Sequence, residues 1–189
     1  GACYKEIGEI DGALQMFEIA IKIKPDYAEA YFNQALIQQE SNLIDVAILS
    51  YKKAIQVDPN YSQANNNLGI LYLNSKKLDK AIKHFEIAIR SKDDFAEAHN
   101  NLGSAFQELN QIINAIHCYK KAIKISPSYA QAHNNLGISM QKIGNNDSAK
   151  LCYELAIKNQ PNYVSAHHNL SQVKKYSVND SQIHQMKSL

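Results

Sequence analysis

The chain has 189 residues, enough for one ordinary domain or a short array of repeats, which excludes a large multidomain machine. With 45% hydrophobic and 20% charged residues it can bury a core, so a disordered chain is excluded as well. Its 20 basic and 18 acidic residues nearly cancel, and Arg90 is the single arginine, so nothing provides a basic patch for nucleic acid or a guanidinium fork for phosphate.

Cys3, Cys118 and Cys152 make an odd count without close spacing, which argues against a disulfide framework or a zinc knuckle and for a reducing, cytoplasmic setting. Lys, Glu, Gln or Asn interrupts every apolar stretch long before the ~20 residues of a membrane span, so no membrane role is expected. The opening Gly-Ala-Cys-Tyr-Lys-Glu shows no signal peptide.

Self-similarity decides the fold class. The segment PNYSQANNNLGILY ending at Tyr72 returns as DDFAEAHNNLGSAF ending at Phe106 and as PSYAQAHNNLGISM ending at Met140, a period of 34 residues without insertion. In chain order this gives a truncated repeat over 1–27, full repeats over 28–61, 62–95, 96–129 and 130–163, and a half repeat over 164–175. Residues 176–189 follow as a junction, expected to form a short capping helix with Asp180 at its N-cap and Ile183, Met186 and Leu189 at helical spacing.

Within each repeat the apolar positions recur with a helical period, as in Leu68, Leu71 and Tyr72, then Ala81, Ile82, Phe85, Ala88 and Ile89. Each repeat is therefore two amphipathic helices. Their inner turn falls at Gly8, Asn42, Lys76, Asn110 and Gly144, mostly residue types that tolerate the left-handed conformation ending a helix. Asp45, Asp79 and Asp147 suit the opening turn of the second helix, as acceptors for its free N–H groups and by dipole complementarity. Pro25, Pro59, Pro127 and Pro161 close most repeats, and Asp93 takes that place in one.

Three small-residue sets recur in register: Ala35, Gly69, Gly103, Gly137; Ala47, Ala81, Ala115, Ala149; and Ala54, Ala88, Ala122, Ala156. They let helix axes approach closely, and Tyr51, Phe85, Tyr119 and Tyr153 fill the space they leave. In these features the sequence resembles the tetratricopeptide repeat family through residue 175. It departs from the family's pattern where a bulky first-helix aromatic, kept at Tyr31, becomes Asn65, His99, His133 and His167. The resemblance implies an all-α right-handed superhelix of antiparallel helix pairs, with first helices lining a concave surface that binds peptides or proteins.

One polar position never varies: Asn33, Asn67, Asn101, Asn135 and Asn169 stand 34 residues apart. A carboxamide donates and accepts at once, the pairing that grips a peptide group without reading side chains. Helices packed about 10 Å apart match three residues of extended chain at ~3.3 Å each. The expected ligand is thus an extended peptide or a disordered protein segment. Asn66, Asn100 and Asn134 are expected to flank this ladder as further contacts. The ladder resembles that of the repeat region of O-linked N-acetylglucosamine transferases, where it holds extended substrates. No glycosyltransferase domain accompanies it here, so the resemblance implies the binding surface alone.

Other signals carry no chemistry. Equivalent positions on successive repeats lie too far apart for His99, His133 and His167 to share a metal at ~2 Å, or for Cys118 and Cys152 to form a disulfide. With no phosphate loop, metal motif or nucleophile constellation, the chain is expected to be non-catalytic and without cofactor. Gly1 falls inside the register of a first helix, so the sequence reads as a fragment. Its tail resembles the junction in bacterial proteins with a C-terminal sulfotransferase-like domain, which implies a recognition or regulatory arm of a longer enzyme. Self-assembly through exposed terminal helices, giving a homo-oligomer, is the competing expectation.

Overall fold

A computed structural model describes residues 10–174. The expected capping helix over 176–189 and the turn at Gly8 lie outside the described residues. The chain divides into two compact units, Gly1–Gln111 and Ile112–Leu189. The first holds α1 (Ile10–Ile23), α2 (Ala28–Glu40), α3 (Ile44–Val57), α4 (Ser62–Asn74), α5 (Leu78–Ser91) and α6 (Ala96–Glu108). The second holds α7 (Ile112–Ile125), α8 (Ala130–Lys142), α9 (Asn146–Asn159) and α10 (Val164–Val173). The described residues contain no strand, so the all-α expectation of paired helices holds.

Even-numbered helices are the first helices of their repeats and odd-numbered ones the second. In the first unit α2 packs on α3 and α4 on α5, and α1, α3 and α5 each pack on the first helix that follows. In the second unit α8 packs on α9, while α7 and α9 pack on α8 and α10. First helices also touch directly, α4 with α6 and α8 with α10.

Small and large residues interlock as their register requires. All eight second-helix alanines named above, and the rings of Tyr51, Phe85, Tyr119 and Tyr153, are 0% exposed. A Cβ placed on Gly69 would stand 2.6 Å from Phe85 Cε1, and one on Gly137 2.5 Å from Tyr153 Cε1. The absent side chain is the space the ring fills.

The turns inside the repeats share one construction. Asn42, Lys76, Asn110 and Gly144 have φ of 60°, 57°, 58° and 80°. Each sends its N–H to the carbonyl three residues back, and the next residue sends its own five back, as in Leu43 N to Gln38 O at 2.8 Å. That paired arrangement satisfies carbonyls left over at the helix end. Lys76 is the costly residue of the four, because a long side chain gains nothing in the left-handed region. Lys76→Gly is expected to leave the melting midpoint unchanged or raise stability by up to about 1 kcal/mol. The ion pair it removes, Nζ to Glu108 Oε2 at 2.6 Å, is solvent-exposed at both ends and contributes little. A clear loss of stability in a thermal melt would contradict this.

The aspartates stand in the opening turns, as expected. Asp45, Asp79 and Asp147 lie in the first turns of α3, α5 and α9, where they complement the dipole. The N-cap positions belong to Leu43 and Lys77, which make no capping side-chain bond, and to Asn145, whose side chain accepts from Ser148 N at 3.1 Å. Each Asp sits inside the helix, two residues past the cap.

Candidate functional site

The ladder residues Asn33, Asn67, Asn101, Asn135 and Asn169 are all half-buried on first helices. Their sequence neighbours Asn66, Asn100 and Asn134 are 1%, 0% and 3% exposed. Adjacent helical residues diverge by about 100°, which separates an edge position from one sealed between helices. In place of open contacts flanking the ladder, Asn66, Asn100 and Asn134 are interior.

In the first unit Asn66 Nδ2 donates to Glu97 Oε1 at 3.1 Å, and since a carboxylate only accepts, the amide orientation is fixed. Asn66 Oδ1 then accepts from Asn101 Nδ2 at 3.0 Å, tying α4 to α6. In the second unit Asn169 Nδ2 donates to Asn134 Oδ1 at 2.9 Å in the same sense, tying α8 to α10. Asn135 is also engaged in interactions.

Phe32 interrupts this column, standing where α4, α6 and α8 carry asparagine. Its ring lies 4.9 Å from that of Tyr61 and 5.8 Å from that of Tyr51, centroid to centroid. With no amide before it, Asn67 Nδ2 donates to the Tyr51 hydroxyl at 3.2 Å, and that hydroxyl donates to Gln39 Oε1 at 3.1 Å. Burial pushes the Tyr51 phenol up to about 12, against the opposing bond from Asn67, with Glu40 adding to the rise. Burial likewise pushes Tyr153 up to about 12, where its hydroxyl donates to Gln141 Oε1 at 3.0 Å.

The histidine column serves the fold. His133 and His167 each donate from Nε2 to the carbonyl of the proline six residues earlier, Pro127 at 2.9 Å and Pro161 at 2.8 Å. Asn65 occupies the same register, giving Nδ2 to Pro59 O and Tyr61 O, both at 3.1 Å. Its Oδ1 therefore faces His84 Nδ1 at 3.0 Å, which must carry the proton. Burial first, then Lys83 and Lys52, hold His84 below the usual imidazole range. Cys118 and Cys152 are buried and form no disulfide, and burial pushes the Cys152 thiol up, away from thiolate reactivity.

Sequence reasoning placed the ladder on one helical edge but missed its partners, Tyr51 and the interior asparagines, and Glu97 behind Asn66. The offset of 35 residues between Asn66 and Asn101 is a property of helix stacking, which the pattern within one repeat does not contain. Among the described residues no helix is long and apolar enough to cross a membrane.

No curated protein matches the sequence significantly. Among solved structures, MamA superposes with a TM-score of 0.76 at 24% identity, covering 85% of this chain and 94% of MamA. MamA from Desulfovibrio magneticus RS-1 gives 0.76 at 17% identity, with coverage of 86% and 92%. YrrB, described as a TPR protein with an unusual peptide-binding site, gives 0.73 at 18% identity, with coverage of 88% and 86%. Identities this low speak for the fold alone. Family models for the TPR repeat match residues 1–42 and 105–144, and models for the tetratricopeptide repeat match 28–61, 50–83 and 130–163. With the helix pairs recurring at the same period that the sequence repeats, the chain belongs to the tetratricopeptide repeat family.

Proposed function

We propose that this protein is a non-catalytic interaction scaffold whose first-helix faces bind an extended polypeptide through Asn33, Asn67, Asn101, Asn135 and Asn169. The observation that carries the reading is the division of labour within the asparagine pairs. Asn101 and Asn169 each spend one N–H on an interior asparagine, which fixes the amide's orientation. A carboxamide has two N–H donors and an oxygen with two lone pairs; the oxygen of Asn101 already takes a long bond from Asn100 Nδ2 at 3.5 Å, so one donor and one lone pair remain for a ligand's peptide group. Asn66, Asn100 and Asn134 support the ladder from behind. The structural likeness to YrrB, a peptide-binding TPR protein, agrees with this use of the fold.

The test compares two triple variants with a labelled neutral peptide rich in serine and threonine, at a temperature below both melting midpoints. Removing Asn67, Asn101 and Asn135 by alanine is expected to weaken binding about a hundredfold, from roughly 1 kcal/mol per lost hydrogen bond. Removing Asn66, Asn100 and Asn134 is expected to lower the melting midpoint comparably while binding changes only several-fold. Parallel loss of binding and stability in both variants would reduce the ladder to a structural clamp.

Pairing with a second copy is the other reading that an observation favours. In α1, Met16, Ile19 and Ile23 share one face and are 43%, 50% and 79% exposed. Concentration-dependent mass by light scattering checks it.

A further inference from the structure

The ladder repeats a bonding pattern as well as a residue type. In the first unit Asn67 and Asn101 each take a long bond from the asparagine before them, Asn66 Nδ2 to Asn67 Oδ1 at 3.4 Å and Asn100 Nδ2 to Asn101 Oδ1 at 3.5 Å. Each then spends one N–H inward, Asn67 on the Tyr51 hydroxyl and Asn101 on Asn66 Oδ1. In the second unit Asn169 spends one the same way, on Asn134 Oδ1. What Asn67 and Asn101 leave outward is therefore the same donor and the same lone pair, in the same sense. A ligand backbone that satisfies the first satisfies the second only if it returns to the same orientation after one repeat.

That repeat is a short step. Helices α4 and α6 touch directly, and the 3.0 Å bond between Asn101 and Asn66 joins them. Each of these side chains reaches roughly 3.5 Å from its Cα, so the two backbones stand within about 10 Å there. Packed helix axes come no closer than ~8 Å. A β-strand does not fit this step. Its residues alternate between faces, so equivalent groups recur every ~6.8 Å or every ~13.6 Å, and the third residue, at ~10 Å, turns its N–H and C=O to the opposite side. A polyproline II helix has three residues per turn and a rise of ~3.1 Å, so the same groups return to the same side every ~9.3 Å. It makes no internal hydrogen bonds, which leaves its N–H and C=O groups open to a carboxamide.

We infer that the ladder takes its ligand as a polyproline II helix, which makes the preferred partner a proline-rich segment with a non-proline residue at every third position. The inference rests on the ladder reading and names the class of its ligand. Proline presets this backbone, so less freedom is lost on binding. It has no N–H, so it suits the two positions of each turn whose N–H is not called on and fails at the one that meets the carboxamide. Leu36 and Ile70 stand three residues beyond Asn33 and Asn67, on the same side of α2 and α4. Both are half-buried and give pyrrolidine rings an apolar surface beside the amides.

The test uses the full chain and fluorescence anisotropy with capped, labelled, neutral peptides of about twelve residues, roughly four turns of such a helix. One repeats Ser-Pro-Pro, the second gathers the same serines into one run, and the third is all proline. The fourth places threonine and valine among serines to favour a strand, and the fifth mixes glycine and serine. The Ser-Pro-Pro repeat is expected to bind tightest. The gathered serines should bind about tenfold more weakly, because their N–H groups meet fewer ladder positions. The strand-forming and flexible peptides should be weaker by about tenfold or more, since they must be ordered on binding. All-proline should show no measurable binding. Asn67→Ala, Asn101→Ala and Asn135→Ala together should weaken the Ser-Pro-Pro repeat about a hundredfold. If the strand-forming or flexible peptide binds tightest and loses its binding in the triple variant, the inference falls and the ladder reading stands. All-proline or gathered serines binding as tightly as the Ser-Pro-Pro repeat also overturns the inference, because no N–H is then read at a three-residue period. A Ser-Pro-Pro repeat bound equally by the triple variant overturns both, as does absence of binding by every peptide.

Discussion

Gly69→Leu is expected to lower stability by about 3 kcal/mol, at the upper end of the cost of overpacking a core. A bare Cβ there already stands 2.6 Å from Phe85 Cε1 and 2.8 Å from Cδ1, and leucine adds three more carbons. The ring cannot yield, because Phe85 is 0% exposed and Ala81 and Ala88 close it in on its own helix at 0%. For a chain of this size the thermal midpoint should drop by roughly 6 to 12 °C. Gly69→Ala should cost less than leucine but still destabilise, since its Cβ alone meets the ring at 2.6 Å, partly offset by about 1 kcal/mol of helix propensity gained over glycine. Adding Phe85→Ala to Gly69→Leu should recover part of the loss by returning volume. A Gly69→Leu chain that melts with the unchanged protein would refute the packing of ring on glycine.

Alkali is expected to unfold the protein cooperatively between pH 10 and 12. An exposed tyrosine loses its proton near pH 10, whereas Tyr51 and Tyr153 are pushed up to about 12 by burial. Below pH 10 both folded and unfolded chains hold these protons, so the phenols make no difference to stability. Above it the unfolded chain releases them and the folded chain does not, which favours unfolding progressively until the folded pKa is reached. Each phenol then removes roughly 2 to 2.5 kcal/mol by pH 12, so the pair removes about 5 kcal/mol, comparable with the whole stability of a small domain. Circular dichroism and phenolate absorbance followed together check this: a fraction of the phenolate signal should appear only as helix is lost. Tyr153→Phe keeps the ring, gives up the bond to Gln141, and should move the alkaline midpoint upward. Ionisation of every tyrosine near pH 10 in a chain that stays helical would contradict it.

Chemistry acting within about one turn of chain was legible in advance. The period, the helix pairs, the left-handed turns at Asn42, Lys76, Asn110 and Gly144, and the small residues matched to rings all follow from local rules, applied identically every 34 residues. The equivalent side chains then meet equivalent surroundings, so one repeat predicts the next. Asp45, Asp79 and Asp147 fall in the opening turns as expected, but which residue caps each helix, Leu43, Lys77 or Asn145, is finer than pattern reading resolves.

The asparagine pairs show what lay beyond reach. Asn66 and Asn67 are the same residue type at adjacent positions, and only the stacking of α4 against α6 makes the first an interior clamp and the second an edge. Phe32 breaks that column and shifts Asn67 onto Tyr51, a change whose outcome depended on which hydroxyl the neighbouring helix brought within 3.2 Å. Periodicity tells which residues share a face. Whether that face is sealed by a neighbour, and which donor finds which acceptor across it, is set by the distance and rotation between helices, and those come from the summed packing of rings against glycine and alanine rather than from any local preference.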